Sequence, residues 1–286
     1  MRRLSVPVSC MLVYIPMSLL GAEIKPDRED KQEGEIRFPS DVLDLTAWKL
    51  TLPIPDPANP KKVSSPWEIG SPNLAIFSLE PWFSVVEDED GTAIRFRAGH
   101  GGVTTSGSKN PRSELREMKP GYPKKHSQYH ASWATDDGQT HSLFIKQKVT
   151  HLTSVKPHVV TGQIHDSEDD VTVFRVEGHG GGSPDAEIST ASIWITDGDK
   201  SHGYLVDDDY KLGTVFTVRF IVSGGVISYE YNGKRLPYSQ KKSAKGCYFK
   251  LGNYTQSNDK TAPTEKAGAY AETLVYEYKL EHGFAK

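Results

Sequence analysis

The sequence predicts an all-β fold, an antiparallel sandwich or jelly roll, on three observations. Short apolar segments alternate with polar residues at strand period. Turn dipeptides separate them: Asp90-Gly91, Asp137-Gly138, Asp197-Gly198, Gly224-Gly225 and Asn232-Gly233. No stretch of helical length carries an apolar stripe at helical spacing. Many short strands with frequent turns pack as sandwiches or jelly rolls.

Residues 1–22 read as an export signal. Arg2 and Arg3 supply the positive start, an apolar run extends from Leu4 to Leu20, and Gly21 and Ala22 precede the charged stretch Glu23–Asp30. Pro7, Ser9 and Pro16 interrupt a run already short for a membrane span. An uncleaved anchor is the alternative, and a lipoprotein cysteine at Cys10 would leave a very short apolar core. The expected product is secreted, extracellular or periplasmic, with no membrane association once the signal is removed. A flexible polar leader is expected over 23–37, and one domain over 38–286.

Within that domain the strand-like segments come in order. Leu45–Ile54 ends at the proline-rich stretch Pro53–Pro60. Ala93–Ala98, Leu143–Val149, Val171–Val176, Val215–Val222, Val226–Tyr231 and Leu274–Leu280 follow. Two glycine-rich loops, Gly99–Asn110 and Val176–Pro184, are either mobile flaps over a cleft or plain surface loops. No repeat and no internal linker interrupts the pattern.

The 286 residues, 36% hydrophobic and 25% charged, suffice for a sizeable core. A net charge of −3 points to neither nucleic acid nor a membrane surface, so any anion binding must come from a local patch. Signal removal leaves Cys247 alone, without an internal disulfide partner; a buried structural thiol is the expectation. No histidine–cysteine spacing suggests a metal site.

Three segments place reactive side chains at alternate positions, which share one face of a strand. Arg112, Glu114 and Arg116 share one such face; Gln163 and His165 share another; Tyr248, Lys250, Tyr254 and Gln256 share a third, with Gly252 leaving room between them. Each alone reads as the solvated side of a sheet. Together, on neighbouring strands, they make a polar, mostly cationic floor suited to an extended anionic ligand and to proton transfer. That kit fits β-elimination on a polyuronate. Removing the C5 proton loads charge onto an already anionic carboxylate, so arginine or glutamine donors beside it are worth roughly 2.7–4 kcal/mol each. A base for that proton and an acid for the departing O4 give about 10²–10⁴-fold each. A neutral histidine serves as base near neutral pH. A tyrosine beside lysine and arginine serves as base or acid, since those charges favour its ionised form.

The blocks RSELR at 112–116, QIH at 163–165 and YFKLGNYTQ at 248–256 resemble those of the alginate lyases of polysaccharide lyase family seven. LDLTAWKLTLPI at 43–54 is similar to that family's opening strand, and GVTTSGSKNPRSELRE at 102–117 to its first motif with the preceding loop. The resemblance implies a β-jelly-roll of two curved antiparallel sheets with a cleft over the concave one. It implies cleavage of the 1,4 link of alginate, an anionic polysaccharide, leaving an unsaturated uronate, with no cofactor and no metal. A monomer is expected. Carried over by position, Arg112 and Gln163 neutralise the carboxylate, and His165 and Tyr254 transfer protons. Glu114, Arg116, Tyr248, Lys250 and Gln256 then position the sugar or the catalytic groups. In guluronate H5 and O4 lie on opposite faces, which suits His165 as base and Tyr254 as acid; in mannuronate they share a face, which suits Tyr254 in both roles. Isoleucine in the middle block, here Ile164, leans toward guluronate or mixed blocks. Leu251 and Asn253 depart modestly from the family's third block and face the opposite side of the strand.

Rival readings are a non-catalytic carbohydrate-binding jelly roll, a jelly-roll glycoside hydrolase, and a lyase for another polyuronate such as glucuronan. The first lacks need of an acid–base pair. The second needs two carboxylates flanking the bond, whereas the acidic clusters Glu87–Asp90, Glu168–Asp170 and Asp207–Asp209 fall in turn-like stretches. The third shares the mechanism.

Overall fold

A computed structural model describes residues 36–119, 121–122, 129–198 and 201–284, all within the compact unit Ile36–Lys286. The export signal expected over 1–22, and the leader through residue 35, lie outside the described residues. Sixteen strands are described: β1 (Trp48–Pro55), β2 (Pro66–Gly70), β3 (Phe83–Asp88), β4 (Gly91–Gly99), β5 (Arg112–Glu117), β6 (Trp133–Ala134), β7 (Gln139–His151), β8 (His158–His165), β9 (Asp170–Gly178), β10 (Thr190–Asp197), β11 (Ser201–Lys211), β12 (Phe216–Ser223), β13 (Val226–Tyr231), β14 (Lys234–Lys241), β15 (Lys245–Thr255) and β16 (Tyr270–Phe284). The helical content among the described residues is two short 3₁₀ turns.

The strands form two antiparallel sheets. One runs β11-β10-β9-β8-β15-β5-β1-β2, with β6 pairing β15 off that path; the other runs β14-β13-β12-β7-β16-β4-β3. This is the jelly-roll sandwich. The turn dipeptides act as expected. Asn232 and Gly233 both take positive φ, 48° and 73°, between the paired residues Tyr231 and Lys234. That backbone is the two-residue turn whose twist matches the strands it joins.

The core lies between the sheets because each strand turns alternate apolar side chains inward. β12 shows it plainly: Phe216, Val218, Phe220 and Val222 are buried and their neighbours half-exposed. From the opposite sheet Phe174 meets Phe220 edge-on at 4.9 Å between ring centroids. Ile164, Phe249 and Leu251 are likewise fully buried. Each such side chain contributes about 1.5–3 kcal/mol by leaving water. Cys247 is buried as expected, and burial pushes its thiol up to about 12.

The strands not foreseen in the sequence are β2, β3, β6, β10, β11 and β14. Four of them, β2, β3, β11 and β14, are the outer edges of the two sheets. Edge strands have one face or flank in water, so their alternation is weak and they tolerate proline, as β14 does at Pro237. Asp207–Asp209, expected in a turn, lie within edge strand β11 for that reason.

Candidate active site

The three motif strands are immediate neighbours, in the order β8-β15-β5. Register then fixes who meets whom. Lys250 pairs with Arg116 on one side and Gln163 on the other; Tyr254 lies opposite Arg112; Tyr248 lies opposite His165. β8 carries a bulge here against β9, with Thr161 as its extra residue, while against β8 the extra residue falls in β15, between Leu251 and Tyr254. Thr161 Oγ1 accepts from Gln147 Nε2 at 3.0 Å, and a Cβ on Gly162 would strike Ile145 and Phe220. Both bulge residues therefore face the core, and the strand is re-aimed so that Gln163 and His165 turn to the other face.

Gly252 has a different reason from the one expected. A Cβ there would lie 2.7 Å from Phe96 Cδ1 and 2.8 Å from Ser113 O, on the core side, and φ is +125°. The glycine answers to backbone and core, not to space in the cleft.

The floor has two levels. Below, Glu114 is 3% exposed and is held by three donors: Arg112 Nη1 at 3.0 Å, Lys250 Nζ at 2.8 Å and Gln163 Nε2. Burial would raise its pKa, but Lys250 and Arg112 outweigh burial and hold the carboxyl below the usual range. Lys250 is pulled down to about 8, by burial first and Arg112 next. Burial also opposes the charge on Arg112, but Glu114 prevails and keeps the guanidinium charged. Gln163 and Lys250 are almost fully buried and do not line the cavity.

Above this layer opens a cavity of about 810 Å³, lined by Arg112, Arg116, His165, Tyr248 and Tyr254 among others. Arg112 lies over the Tyr254 ring, 3.8 Å from guanidinium carbon to centroid, a cation–π contact that fixes the phenol. The Tyr254 hydroxyl is 2.9 Å from Ser108 Oγ. The His165 ring stacks on Tyr248 at 5.1 Å, and its Nδ1 lies 2.7 Å from the Asp166 carbonyl and 3.1 Å from the Tyr248 hydroxyl. A carbonyl only accepts, so Nδ1 carries the hydrogen and Nε2 the lone pair. Burial, with Lys250 next, pulls the imidazole down to about 4, so it is neutral at ordinary pH.

Gln256 stands apart from the cavity. Its Oε1 accepts from Asn110 Nδ2 at 3.1 Å, so it secures the loop before β5. The cavity walls come from residues 64–68 on one side, which the sequence did not single out, from 104–108 within the first glycine-rich loop on another, and from the acidic cluster 168–170 on a third. The glycine-rich loop before Arg112 is thus a wall. The second one is not; Gly178 and Gly181 sit against Pro157, too close for a Cβ.

The acidic residues Glu168–Asp170 were set aside as a turn, yet they line the cavity with Asp56 and Glu68. The floor is cationic as expected, and the rim is not. Asp170 lies opposite His165 in the hairpin of β8 and β9, with Oδ1 3.9 Å from His165 Nε2. Burial pushes its carboxyl up to about 6 against the pull of Lys250. The short polar stretch between QIH and the next strand was the signal for that hairpin.

A family model described as alginate lyase matches residues 43–282. Among solved structures, alginate lyase AlgAT5 from polysaccharide lyase family 7 is 43% identical over 86% of this chain and 99% of its own, with a TM-score of 0.71. The alginate lyase from Corynebacterium sp. is 41% identical over the same shares, with a TM-score of 0.73. A family 7 alginate lyase, A1-II′, solved in complex with the substrate GGMG, is 23% identical over 88% of this chain and 99% of its own, with a TM-score of 0.65; that likeness carries the fold. No curated protein matches the chain.

Proposed function

The chain belongs to the alginate lyase family, and from that membership we propose that it cleaves alginate by β-elimination with Arg112, Gln163, His165 and Tyr254 as its working groups. The observation that carries this reading is that His165 Nε2, with its lone pair uncommitted to the main chain, and the Tyr254 hydroxyl open onto one cavity above a single cationic floor.

A uronate seated there sets its carboxylate against the cavity-lining guanidinium of Arg112, which Gln163 supports from the buried layer through their shared partner Glu114. Arg112 keeps guanidinium hydrogens beyond the one given to Glu114. These donors stabilise the charge that develops when H5 leaves, the step where fixed donors matter most. His165 Nε2 takes H5, and Asp170 close by favours the imidazolium that results. The electron pair forms the C4–C5 double bond, the C4–O4 bond breaks, and Tyr254 protonates the departing O4. Glu114 and Lys250 act from beneath by holding Arg112 and Gln163. Tyr248 and Arg116 hold His165 and the neighbouring sugar, and Gln256 acts through Asn110. A weakly basic imidazole is available unprotonated over a wide pH range.

The finer reading is a preference for guluronate or mixed blocks. Two separate proton-transfer groups suit the anti arrangement of H5 and O4 in guluronate. Ile164 is fully buried, so its association with such substrates acts through the packing of β8. We place the enzyme outside the cell, as a monomer acting on alginate and not on nucleic acid.

An ultraviolet assay on guluronate-rich, mannuronate-rich and mixed alginate tests the reaction and the preference together. Growth of the conjugated double bond's absorbance, fastest on guluronate-containing polymer, is expected. New reducing ends without that absorbance would mean hydrolysis. Tyr254→Phe should abolish turnover and leave substrate binding largely intact; parallel loss of both contradicts the assigned role.

A further inference from the structure

Ser108 has three polar neighbours and one hydrogen to give. Its Oγ lies 3.0 Å from Asn110 N, which only donates, and 3.2 Å from Asn110 O, which only accepts. It lies 2.9 Å from the Tyr254 hydroxyl, which does either. Two arrangements satisfy this set. In one, Ser108 donates to Asn110 O and Tyr254 donates to Ser108, so the phenol proton points into the loop. In the other, Ser108 donates to the phenol oxygen and the phenol proton is free for the cleft. Asn110 N donates to Ser108 in both.

The loop that carries Ser108 is built to hold it there. Ser108 N closes a turn onto Thr105 O at 2.9 Å. Asn110 is gripped by Gln256 and by Asn258, both on the segment that follows Tyr254. The hydroxyl and the phenol are thus fixed to the same piece of chain, which keeps their spacing while the hydroxyl rotates.

We propose that Ser108 is a positioning residue for Tyr254, its hydroxyl turning from Asn110 O to the phenol oxygen as the phenol proton passes to the leaving O4. This rests on the acid role of Tyr254 proposed above. The proton that O4 gains is the phenol's; Ser108 keeps its own and gives a hydrogen bond to the phenolate left behind. A donor to developing negative charge counts for more in the transition state than in the ground state. Ser108 therefore affects kcat and hardly touches KM.

The test measures kcat, KM and melting temperature for Ser108→Ala, Ser108→Thr and Tyr254→Phe on the best alginate substrate. Ser108→Ala should lower kcat on the order of 10–100-fold, as expected for a lost hydrogen bond to a charged group, with KM within about two-fold and melting unchanged. Ser108→Thr keeps the hydroxyl and should restore most of kcat. A Ser108→Ala enzyme with wild-type kcat, or one impaired only through a higher KM and a lower melting point, overturns the proposal, as does threonine failing to rescue a well-folded variant. Should Tyr254→Phe itself turn over normally, the acid role of Tyr254 falls and this proposal with it; an inactive Tyr254→Phe beside a normal Ser108→Ala removes Ser108 alone.

Discussion

Replacing Glu114 by glutamine keeps shape and removes one charge from the centre of the site's foundation. The carboxylate is 3% exposed and takes Arg112 Nη1 at 3.0 Å and Lys250 Nζ at 2.8 Å, with Gln163 as a third donor. Glutamine offers a single oxygen and turns an amide NH₂ toward a cation. Breaking a buried ion pair by removing one partner costs about 3–5 kcal/mol. For a chain of this size that lowers the melting temperature by about 6–20 °C. The penalty should also depend on pH in a definite sense. Lys250 sits at about 8 in the folded protein, against 10.5 ordinarily. A lysine so lowered releases its proton on folding between those values, so stability rises with pH through that window. Without Glu114 the ammonium loses its counter-charge and deprotonates at still lower pH. The variant then regains ground between mildly acid and mildly alkaline conditions, and the penalty is smaller at pH 9 than at pH 6. Glu114 itself, held below the carboxylate range, stabilises above the unfolded pKa and loses that contribution as pH falls through the folded value. The variant lacks this acid-side loss. Arg112 and Gln163 lose their common anchor, and kcat/KM should fall on the order of 10²-fold through misplacement. Calorimetry at the two pH values with parallel kinetics decides. A variant melting within about 2 °C of wild type, with equal penalties at pH 6 and pH 9, refutes the reasoning.

Other expectations concern single groups. With His165 lowered to about 4 by burial and by Lys250, the acid limb of kcat/KM should fall near pH 4 and not near 6.5, because the base is lost only as pH drops through the folded value; a limb centred near 6.5 contradicts the buried, neutral imidazole. Gly252→Ala should destabilise on the order of 2–5 kcal/mol, since its Cβ meets Phe96 and Ser113 O at a φ of +125°; urea titration reads this, and an alanine variant as stable as wild type would show that β15 relaxes freely.

The central strands were legible because both of their faces carry a pattern. β5, β8 and β15 turn apolar residues such as Leu115, Ile164 and Phe249 to the core and reactive ones to the cleft, and a period of two survives in such strands. Edge strands were obscure for the opposite reason. The bulge at Thr161 and Gly162 breaks the period by one residue, which alternation alone cannot register. Asp170 was passed over because three acids after QIH read as a solvated turn. Its place beside His165 follows only from the pairing of β8 with β9.

Sequence by itself determined which chemistry is available: guanidinium, amide, imidazole and phenol at strand spacing, and an apolar complement enough to bury one face of each strand. Tertiary structure decided which of those groups reach the cleft. Gln163, Lys250 and Glu114 share the alternation of their cavity-lining neighbours yet lie almost fully buried beneath them. Ser108, in the loop before the first motif, and Asp170, in a cluster read as a turn, stand beside Tyr254 and His165. Alternation assigns a side chain to a face; only strand order, register and the loops folded over that face set its depth.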